Sequence, residues 1–268
     1  MPDRPQPGQP RKTGCFPIML PGMDNRSRYP VINGFHGFDF VDGDYRLPYR
    51  LLTPGGVVPA TGFPLLVYFH GMGSIGNDNQ KNLMLAGRFG DPGFQQRHPC
   101  YVLAAQCPED QRWVTAEWNA ARHVFHRTPT VYMALFIKLL EELLGALPVD
   151  RARLYVGGGS MGGFATWDIL CRQPRRFAAA FPICGGCDVA NAPALSHVPL
   201  WVFHGALDRS VLPSSSREMV AALRAAGGAP RYTEYPDVAH DAWNPALAEP
   251  ELFDWLFAQR RSAVAERL

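Results

Sequence analysis

The chain has 268 residues, of which 47% are hydrophobic, and its formal net charge is +2 at pH 7. This length and composition fit one large α/β domain or two small ones with a buried core. The near-neutral charge and the dispersed arginines argue against a surface for nucleic acid or an anionic membrane. No apolar run reaches the roughly 18 residues of a transmembrane helix, and the N-terminus lacks the apolar centre of a secretory signal. We therefore expect a cytoplasmic protein with no nucleic-acid or membrane partner.

The first part of the chain predicts a flexible segment, then a hairpin, then a buried strand. Residues 1–30 are rich in Pro, Gly and Arg, which is typical of a flexible segment. From residue 31 to residue 268 we expect a single domain. The segment FHGFDFVDGDYRLPYRLLTP alternates apolar and polar residues around Asp42-Gly43-Asp44, which predicts two antiparallel strands. FPLLVYFHG is continuously apolar and predicts a strand buried on both faces.

The remainder of the chain alternates strand and helix patterns. Strands are predicted for CYVLAAQ, ARLYVGG, FAAAFPICG, VPLWVFHGA and PRYTEYP. Helices are predicted for SMGGFATWDILCRQP, PSSSREMVAALRAAGG and NPALAEPELFDWLFAQRR, and for TPTVYMALFIKLLEELLGALP with Thr128 as N-cap and Pro129 in the first helical position. This order predicts an α/β fold: a mostly parallel central sheet flanked by helices, with an antiparallel N-terminal hairpin and no large lid.

The stretch YVGGGSMGG matches two motifs at once. A G-x-G-x-x-G pattern begins at Gly157 and is typical of dinucleotide binding, whereas a G-x-S-x-G pattern begins at Gly158 and is typical of a turn that carries a nucleophilic serine, here Ser160. A dinucleotide site also requires an acidic residue at the end of the next strand, and that strand ends in FPICGG with no acid before Asp188. The serine motif is therefore favoured, and a nucleotide-binding oxidoreductase is the weaker alternative.

A nucleophilic serine in this motif requires an acid and a histidine that follow in the order Ser, Asp, His, each after a later strand. Asp208 follows the strand VPLWVFHGA, and His240 follows PRYTEYP. Because parallel strands end at the same edge of a sheet, we expect these two residues to meet Ser160 as a catalytic triad. The rival candidates for the acid are Asp188, Asp237 and Asp241.

Acyl transfer also requires N–H donors that stabilise an oxyanion. One donor is expected from the backbone of Met161, and the other from Met72 in FHGMGSIGNDN, with Gly73 as the alternative. His70 and His204 are interpreted as structural histidines. Three tryptophans in loops at the active edge are candidate substrate contacts: Trp113, Trp118 and Trp243.

The six cysteines show no regular metal-ligand spacing with histidines. Cys184 and Cys187 form a C-x-x-C pair, but this pair leads from a strand into a Gly/Pro-rich loop rather than opening a helix, where the dipole would activate a thiol. Structural thiols are therefore favoured over a disulfide, and both over redox or metal chemistry.

With these motifs the chain resembles the α/β-hydrolase superfamily. Within it, the chain is most similar to the predicted peptidase and phospholipase/carboxylesterase-like group related to polyhydroxybutyrate depolymerases and feruloyl esterases. The matching pieces lie within residues 64–257 and include LLVYFHGMGSIGNDN, AAQCPED, VGGGSMGG, PICGG, VPLWVFHGALDRSV and YTEYPDVAHDAW. The resemblance implies Ser160 as nucleophile, Asp208 as acid and His240 as base. Ala239 stands where the group usually has Gly.

We therefore expect a serine hydrolase that cleaves carboxylic esters, with short-chain or aromatic acyl groups, through an acyl-enzyme intermediate. Its substrate would be a small-molecule or polymeric ester. A serine peptidase of the same fold is the main alternative. This chemistry requires no metal and no organic cofactor. The oligomeric state is not indicated by the sequence.

Overall fold

A computed structural model describes residues 29–261 of the chain. The flexible segment predicted for residues 1–30 therefore lies outside the described residues, apart from its last two positions. The strands are β1 Phe35–Asp42, β2 Tyr45–Leu52, β3 Phe63–Phe69, β4 Tyr101–Ala105, β5 Val149–Gly159, β6 Ala179–Ile183, β7 Trp201–Gly205 and β8 Arg231–Tyr235. The helices are α1 Leu83–Ala86, α2 Pro92–Arg97, α3 Val131–Ala146, α4 Met161–Arg172, α5 Ala192–Leu195, α6 Ser214–Ala225, α7 Trp243–Ala246 and α8 Leu252–Ala258.

The strands form one sheet in the order β1-β2-β4-β3-β5-β6-β7-β8. β1 and β2 pair as an antiparallel hairpin, and β2 joins β4 antiparallel, whereas every pairing from β4 to β8 is parallel. The predicted fold class is confirmed: an α/β fold with a mostly parallel sheet and an antiparallel N-terminal hairpin. Because β5, β6, β7 and β8 are consecutive and parallel, the loops that follow them share one edge of the sheet.

Helices cover both faces of the sheet, which explains the continuous apolarity of the central strands. Every residue of β3, β4, β6 and β7 is buried. One core cluster joins α3, α4 and α6 to the sheet, and a second joins α1, α2 and α8 to its opposite face. A strand with neighbours on both faces gains from apolar side chains at every position rather than at alternate ones.

The long helix α3 begins two residues later than the sequence predicts. Its N-cap is Thr130, whose side chain accepts a hydrogen bond from the N–H of Met133 at 3.1 Å. The same hydroxyl donates to the carbonyl of Trp113 at 2.7 Å. Thr128 and Pro129 therefore precede the helix, since the tertiary contact to Trp113 fixes Thr130 as the cap.

The last predicted helix is split into two. α7 and α8 are separated by residues 247–251, and this interval includes Pro250. Proline lacks the N–H that a continuing helix needs, so one helix across this interval would lose a hydrogen bond. Residues 106–130 contain neither helix nor strand. Among residues 29–261, every helix falls short of the length and apolarity that a bilayer span requires.

Candidate active site

Ser160 lies alone between the end of β5 and the start of α4. Its φ and ψ are 59° and −123°, a conformation that is strained for a residue with a side chain. The strained turn is packed tightly against the end of β3. A Cβ at Gly158 would lie 2.5 Å from the Phe69 carbonyl oxygen, and one at Gly162 would lie 2.0 Å from the same atom. Glycine is therefore required at both of these positions, two residues before and two residues after Ser160.

The structure brings the three predicted triad residues together. Ser160 Oγ lies 2.8 Å from His240 Nε2, and His240 Nδ1 lies 2.7 Å from Asp208 Oδ2. Asp208 follows β7 and His240 follows β8, so the common edge of the parallel sheet positions both side chains. The His240 side chain retains 27% exposure, whereas that of Asp208 has none. Ser160 and His240 thus face solvent, and Asp208 lies beneath them.

Asp208 is held as an ionised carboxylate by four donors. Oδ1 accepts hydrogen bonds from the backbone N–H groups of Ser210 and Val211 at 2.8 and 3.0 Å. Oδ2 faces the ring nitrogens of His240 and His204. Burial raises the pKa of Asp208, but the hydrogen bonds from His204, His240 and the Val211 N–H outweigh it and hold the pKa well below its usual range. Asp208 is therefore an acceptor only, which is what orienting a histidine base requires.

Met161 directly follows Ser160 in the chain, and Met72 lies in the loop after β3, one residue beyond Gly71. Met161 is the first residue of α4, so its N–H has no acceptor within the helix and lies at the positive end of the helix dipole. Met72 opens a short 3₁₀ turn, Met72–Ser74, directly after Gly71. A Cβ at Gly71 would lie 3.4 Å from the Cβ of Ser160. The loop after β3 therefore passes directly beside Ser160.

His70 anchors this loop as a neutral ring. The N–H of Cys107 donates to His70 Nε2 at 2.9 Å, so the ring hydrogen must be on Nδ1, which donates to the Gly71 carbonyl at 2.7 Å. Burial lowers the pKa of His70 to about 4. The interpretation of His70 as a structural histidine agrees with these contacts.

The three candidate tryptophans lie in different environments. Trp243 is half-buried and meets the His240 ring edge to face, with the ring centroids 5.4 Å apart. Trp118 is half-buried against Phe164 of α4. Trp113, in contrast, is fully buried, with 0% exposure, in the core beneath His70. In this position Trp113 has no surface to offer a substrate, so the proposal of Trp113 as a substrate contact is withdrawn. Residues 106–130 form neither helix nor strand, so no sequence period distinguishes the buried Trp113 from the half-buried Trp118.

The rival acids are placed away from the triad's hydrogen bonds. Asp188 caps a short turn, accepting from the N–H of Ala190 at 3.0 Å, and also accepts from the N–H of Phe125 at 3.1 Å. Asp237 and Asp241 are exposed. None of these three carboxylates is bonded to His240 in the described part of the chain.

Two residues beside the triad were not predicted to contact it. His204, interpreted from sequence as a structural histidine, is buried at the end of β7 with Nε2 3.4 Å from Asp208 Oδ2. Cys184 follows β6, and its thiol donates to the carbonyl of His240 at 3.4 Å. The signal for His204 is its spacing of four residues from Asp208 across the turn HGALD.

The cysteines that the structure describes are free thiols. Among the described hydrogen bonds none joins Cys184 to Cys187; instead, Cys171 of α4 meets Cys187, with 3.6 Å between the sulfurs. The hydrogen bond with Cys171 and burial raise the pKa of the Cys187 thiol well above its usual value. The expectation of structural thiols agrees with these contacts.

Comparisons with known proteins match this chain to esterases and other serine hydrolases. The family model described as the prolyl oligopeptidase family matches residues 121–196, which include Ser160 but neither Asp208 nor His240. A comparison with curated proteins finds no match. A thermostable esterase of known structure has 37% sequence identity and a TM-score of 0.79, over 86% of this chain and 64% of that chain. The chain thus spans slightly less than two thirds of that esterase.

Two more distant structures share the fold. A ferulic acid esterase aligns with a TM-score of 0.61 at 16% identity, over 83% of this chain and 97% of its own. FphF, a fluorophosphonate-binding serine hydrolase of Staphylococcus aureus solved with substrate bound, aligns with a TM-score of 0.60 at 13% identity, over 84% of this chain and 98% of its own.

Proposed function

We propose that this chain, whose fold and matches are those of α/β-hydrolases, is a serine hydrolase that cleaves carboxylic esters through an acyl-enzyme intermediate. The observation that carries the proposal is the continuous set of contacts from Ser160 Oγ through His240 to Asp208, at 2.8 and 2.7 Å. These distances lie within the range over which a proton passes from a nucleophile to a base.

In the proposed first step, Ser160 Oγ attacks the ester carbonyl while His240 Nε2 takes the hydroxyl proton of Ser160. Asp208 accepts from His240 Nδ1, which keeps Nε2 free of hydrogen before the attack and stabilises the imidazolium after it. The backbone N–H groups of Met161 and Met72 are the proposed donors to the oxyanion. Removing one such donor typically costs about 10²–10³-fold in rate.

In the proposed second step, His240 returns the proton to the leaving alcohol, and a water then attacks the acyl-enzyme with His240 again as base. The chain's own residues thus supply the nucleophile, the base and the oxyanion donors. The substrate proposed is a small-molecule or polymeric ester with a short-chain or aromatic acyl group.

Apolar side chains at the edge of the site support an ester with an apolar group. Met72 in the loop beside Ser160 and Leu207 next to Asp208 are 42% and 57% exposed. Trp118 and Trp243, both half-buried, are proposed as further substrate contacts. The segment 106–130 forms no helical lid, which leaves room for a bulky or polymeric substrate.

The proposal is tested with a panel of para-nitrophenyl esters of increasing acyl length and a feruloyl ester. We expect turnover of at least one member by the wild-type protein, and loss of this turnover in Ser160→Ala. A wild-type protein that is inert toward the whole panel would contradict the ester assignment.

A serine peptidase is the second candidate, because the segment that carries Ser160 matches the prolyl oligopeptidase family. The same triad cleaves amides when the leaving amine is protonated by the histidine. Peptide-amide turnover that exceeds ester turnover, relative to the uncatalysed rates, would favour this candidate.

The oxidoreductase alternative is disfavoured by the packing of the glycine run. A Cβ at Gly157 would lie 2.2 Å from the Phe181 ring, and those at Gly158 and Gly162 would overlap backbone atoms. These glycines therefore serve close packing within the protein.

A further inference from the structure

His204 lies directly behind the acid of the triad. It is the fourth residue of β7, and it has 0% exposure. Its Nε2 lies 3.0 Å from the Val211 carbonyl oxygen and 3.4 Å from Asp208 Oδ2. On the other side of the ring, Nδ1 lies 2.7 Å from Ser216 Oγ at the start of α6. The ring is therefore held on both sides, with one nitrogen toward Asp208.

The neighbours of Nε2 determine that this nitrogen carries a hydrogen. Both the Val211 carbonyl and the Asp208 carboxylate are acceptors, so a bare nitrogen facing them would be repelled by both. Ser216 can donate to Nδ1 or accept from it, because a hydroxyl does both. The Nε2–H donor toward Asp208 is thus present whether the ring is neutral or charged.

The two oxygens of Asp208 differ in how they are held. Oδ1 is fixed by two backbone N–H groups, those of Ser210 and Val211. Oδ2 has no backbone donor among the described hydrogen bonds; its partners are the side chains of His240 and His204. The charge on the His240 ring changes during the proposed reaction, since its other nitrogen gains and loses a proton. A second donor that stays fixed would hold Oδ2 in place throughout.

We propose that His204 is a positioning residue for the reaction, with its Nε2–H shared between Val211 and Asp208 Oδ2, so that this oxygen stays directed at His240 Nδ1. The inference rests on the proposed function, because it assigns a role within the same triad. His204 touches neither the substrate nor Ser160 and acts only through Asp208.

Two substitutions of His204 distinguish the effect of losing the hydrogen-bond donor from the effect of losing the ring. His204→Gln places an amide nitrogen near the position of Nε2 and retains a donor for Asp208. His204→Asn places its amide near the position of Nδ1 and leaves Oδ2 without this donor. Both variants remove the same buried ring, so we expect similar losses in melting temperature. If the Asn variant does not fold, His204→Leu serves as the variant without a donor.

The usual strength of a hydrogen bond to a charged group gives the expected size of the effect on kcat. We expect His204→Asn to lower kcat on a para-nitrophenyl ester by about tenfold to hundredfold with KM changed by less than about twofold. His204→Gln should recover most of this loss. Equal losses of kcat in the two variants, or losses that follow melting temperature rather than the donor, would overturn the proposal.

A second measurement separates this inference from the proposed function. The hydrogen between His240 Nδ1 and Asp208 gives a far-downfield ¹H NMR signal, which reports the contact without any turnover. We expect the signal to shift or broaden in His204→Asn and to return toward the wild-type position in His204→Gln. The same signal in all three proteins would overturn the positioning role, even if ester hydrolysis is confirmed. A wild-type protein that is inert toward esters, but shows the expected NMR differences, would contradict the ester assignment alone.

Discussion

Replacing Asp208 by asparagine tests the orienting role of the acid with the smallest change in shape. The amide nitrogen of the new side chain must take the place of one carboxylate oxygen. In the place of Oδ1 it would face the N–H groups of Ser210 and Val211, and in the place of Oδ2 it would face the ring nitrogens of His240 and His204. Each position sets donors against donors, in a site where Asp208 is only 3% exposed.

The less costly arrangement has the amide nitrogen in the place of Oδ2, and it stabilises the His240 tautomer whose hydrogen is on Nε2. Backbone N–H groups cannot lose their hydrogens, whereas His240 can accept at Nδ1 if its hydrogen moves to Nε2. Nε2, which lies 2.8 Å from Ser160 Oγ, can then no longer take the serine proton. We expect kcat to fall by about 10³–10⁴-fold, which corresponds to about 4–5.5 kcal/mol of transition-state stabilisation. KM should change little, because Asp208 does not reach the substrate.

The assay is steady-state hydrolysis of the best para-nitrophenyl ester at neutral pH, with Ser160→Ala defining the background. Asp237→Asn is the matched control: it is the same chemical change at an exposed carboxylate, and we expect it to retain wild-type kcat. Melting temperatures exclude unfolding as the cause. An Asp208→Asn protein that keeps more than about a tenth of wild-type kcat would refute the reasoning from tautomers.

Three further predictions concern stability and the thiols. Burial lowers the pKa of His70 to about 4, below its ordinary value, so the unfolded chain binds the extra proton and the folded protein loses stability as the pH falls from about 6.5 to about 4. Unfolding with urea measures how much the free energy of unfolding falls between pH 7 and pH 5. We expect this fall to be about 2 kcal/mol smaller in His70→Asn than in the wild type. Equal falls in the two proteins would contradict a neutral His70. Gly162→Ala should destabilise the protein by about 3 kcal/mol or more and abolish activity, because its Cβ would lie 2.0 Å from the Phe69 carbonyl oxygen. Gly145→Ala in α3 is the control. A Cβ at Gly145 meets nothing within 4 Å, so this variant should be neutral or stabilising by up to about 1 kcal/mol. Oxidised glutathione should join Cys171 to Cys187, whose sulfurs are 3.6 Å apart, slowly and faster at alkaline pH, because the raised pKa of Cys187 keeps its thiolate scarce. The intact mass should fall by two hydrogens, and a disulfide at Cys184 in their place would contradict the observed pairing.

The main architecture and the meeting of Ser160, His240 and Asp208 could be predicted because each depends on local patterns placed in a fixed order. Buried strands appear as apolar runs, and the parallel connection rule brings the ends of β5, β7 and β8 to one edge. Ser160, Asp208 and His240 each directly follow one of these runs. Their meeting point therefore depends on topology and needs no knowledge of side-chain packing.

The features that sequence could not predict depend on tertiary contacts within irregular backbone. Pro129 favours Thr128 as the cap, and the bond from Thr130 to the Trp113 carbonyl favours Thr130 instead. Trp113 and Trp118 lie in the same segment without helix or strand, so no period shows which of them is buried. The contact of His204 with Asp208 depends on how the HGALD turn folds back, which residue types alone do not specify.

Covalent labelling with a fluorophosphonate, followed by peptide mass mapping, tests the central claim most directly. Such reagents react with a serine whose hydroxyl is activated by a neighbouring base. The account predicts one adduct per chain, located on Ser160 and absent from Ser160→Ala, with the rate of labelling strongly reduced in His240→Ala. An unlabelled wild-type protein, or an adduct at any other residue, would contradict it.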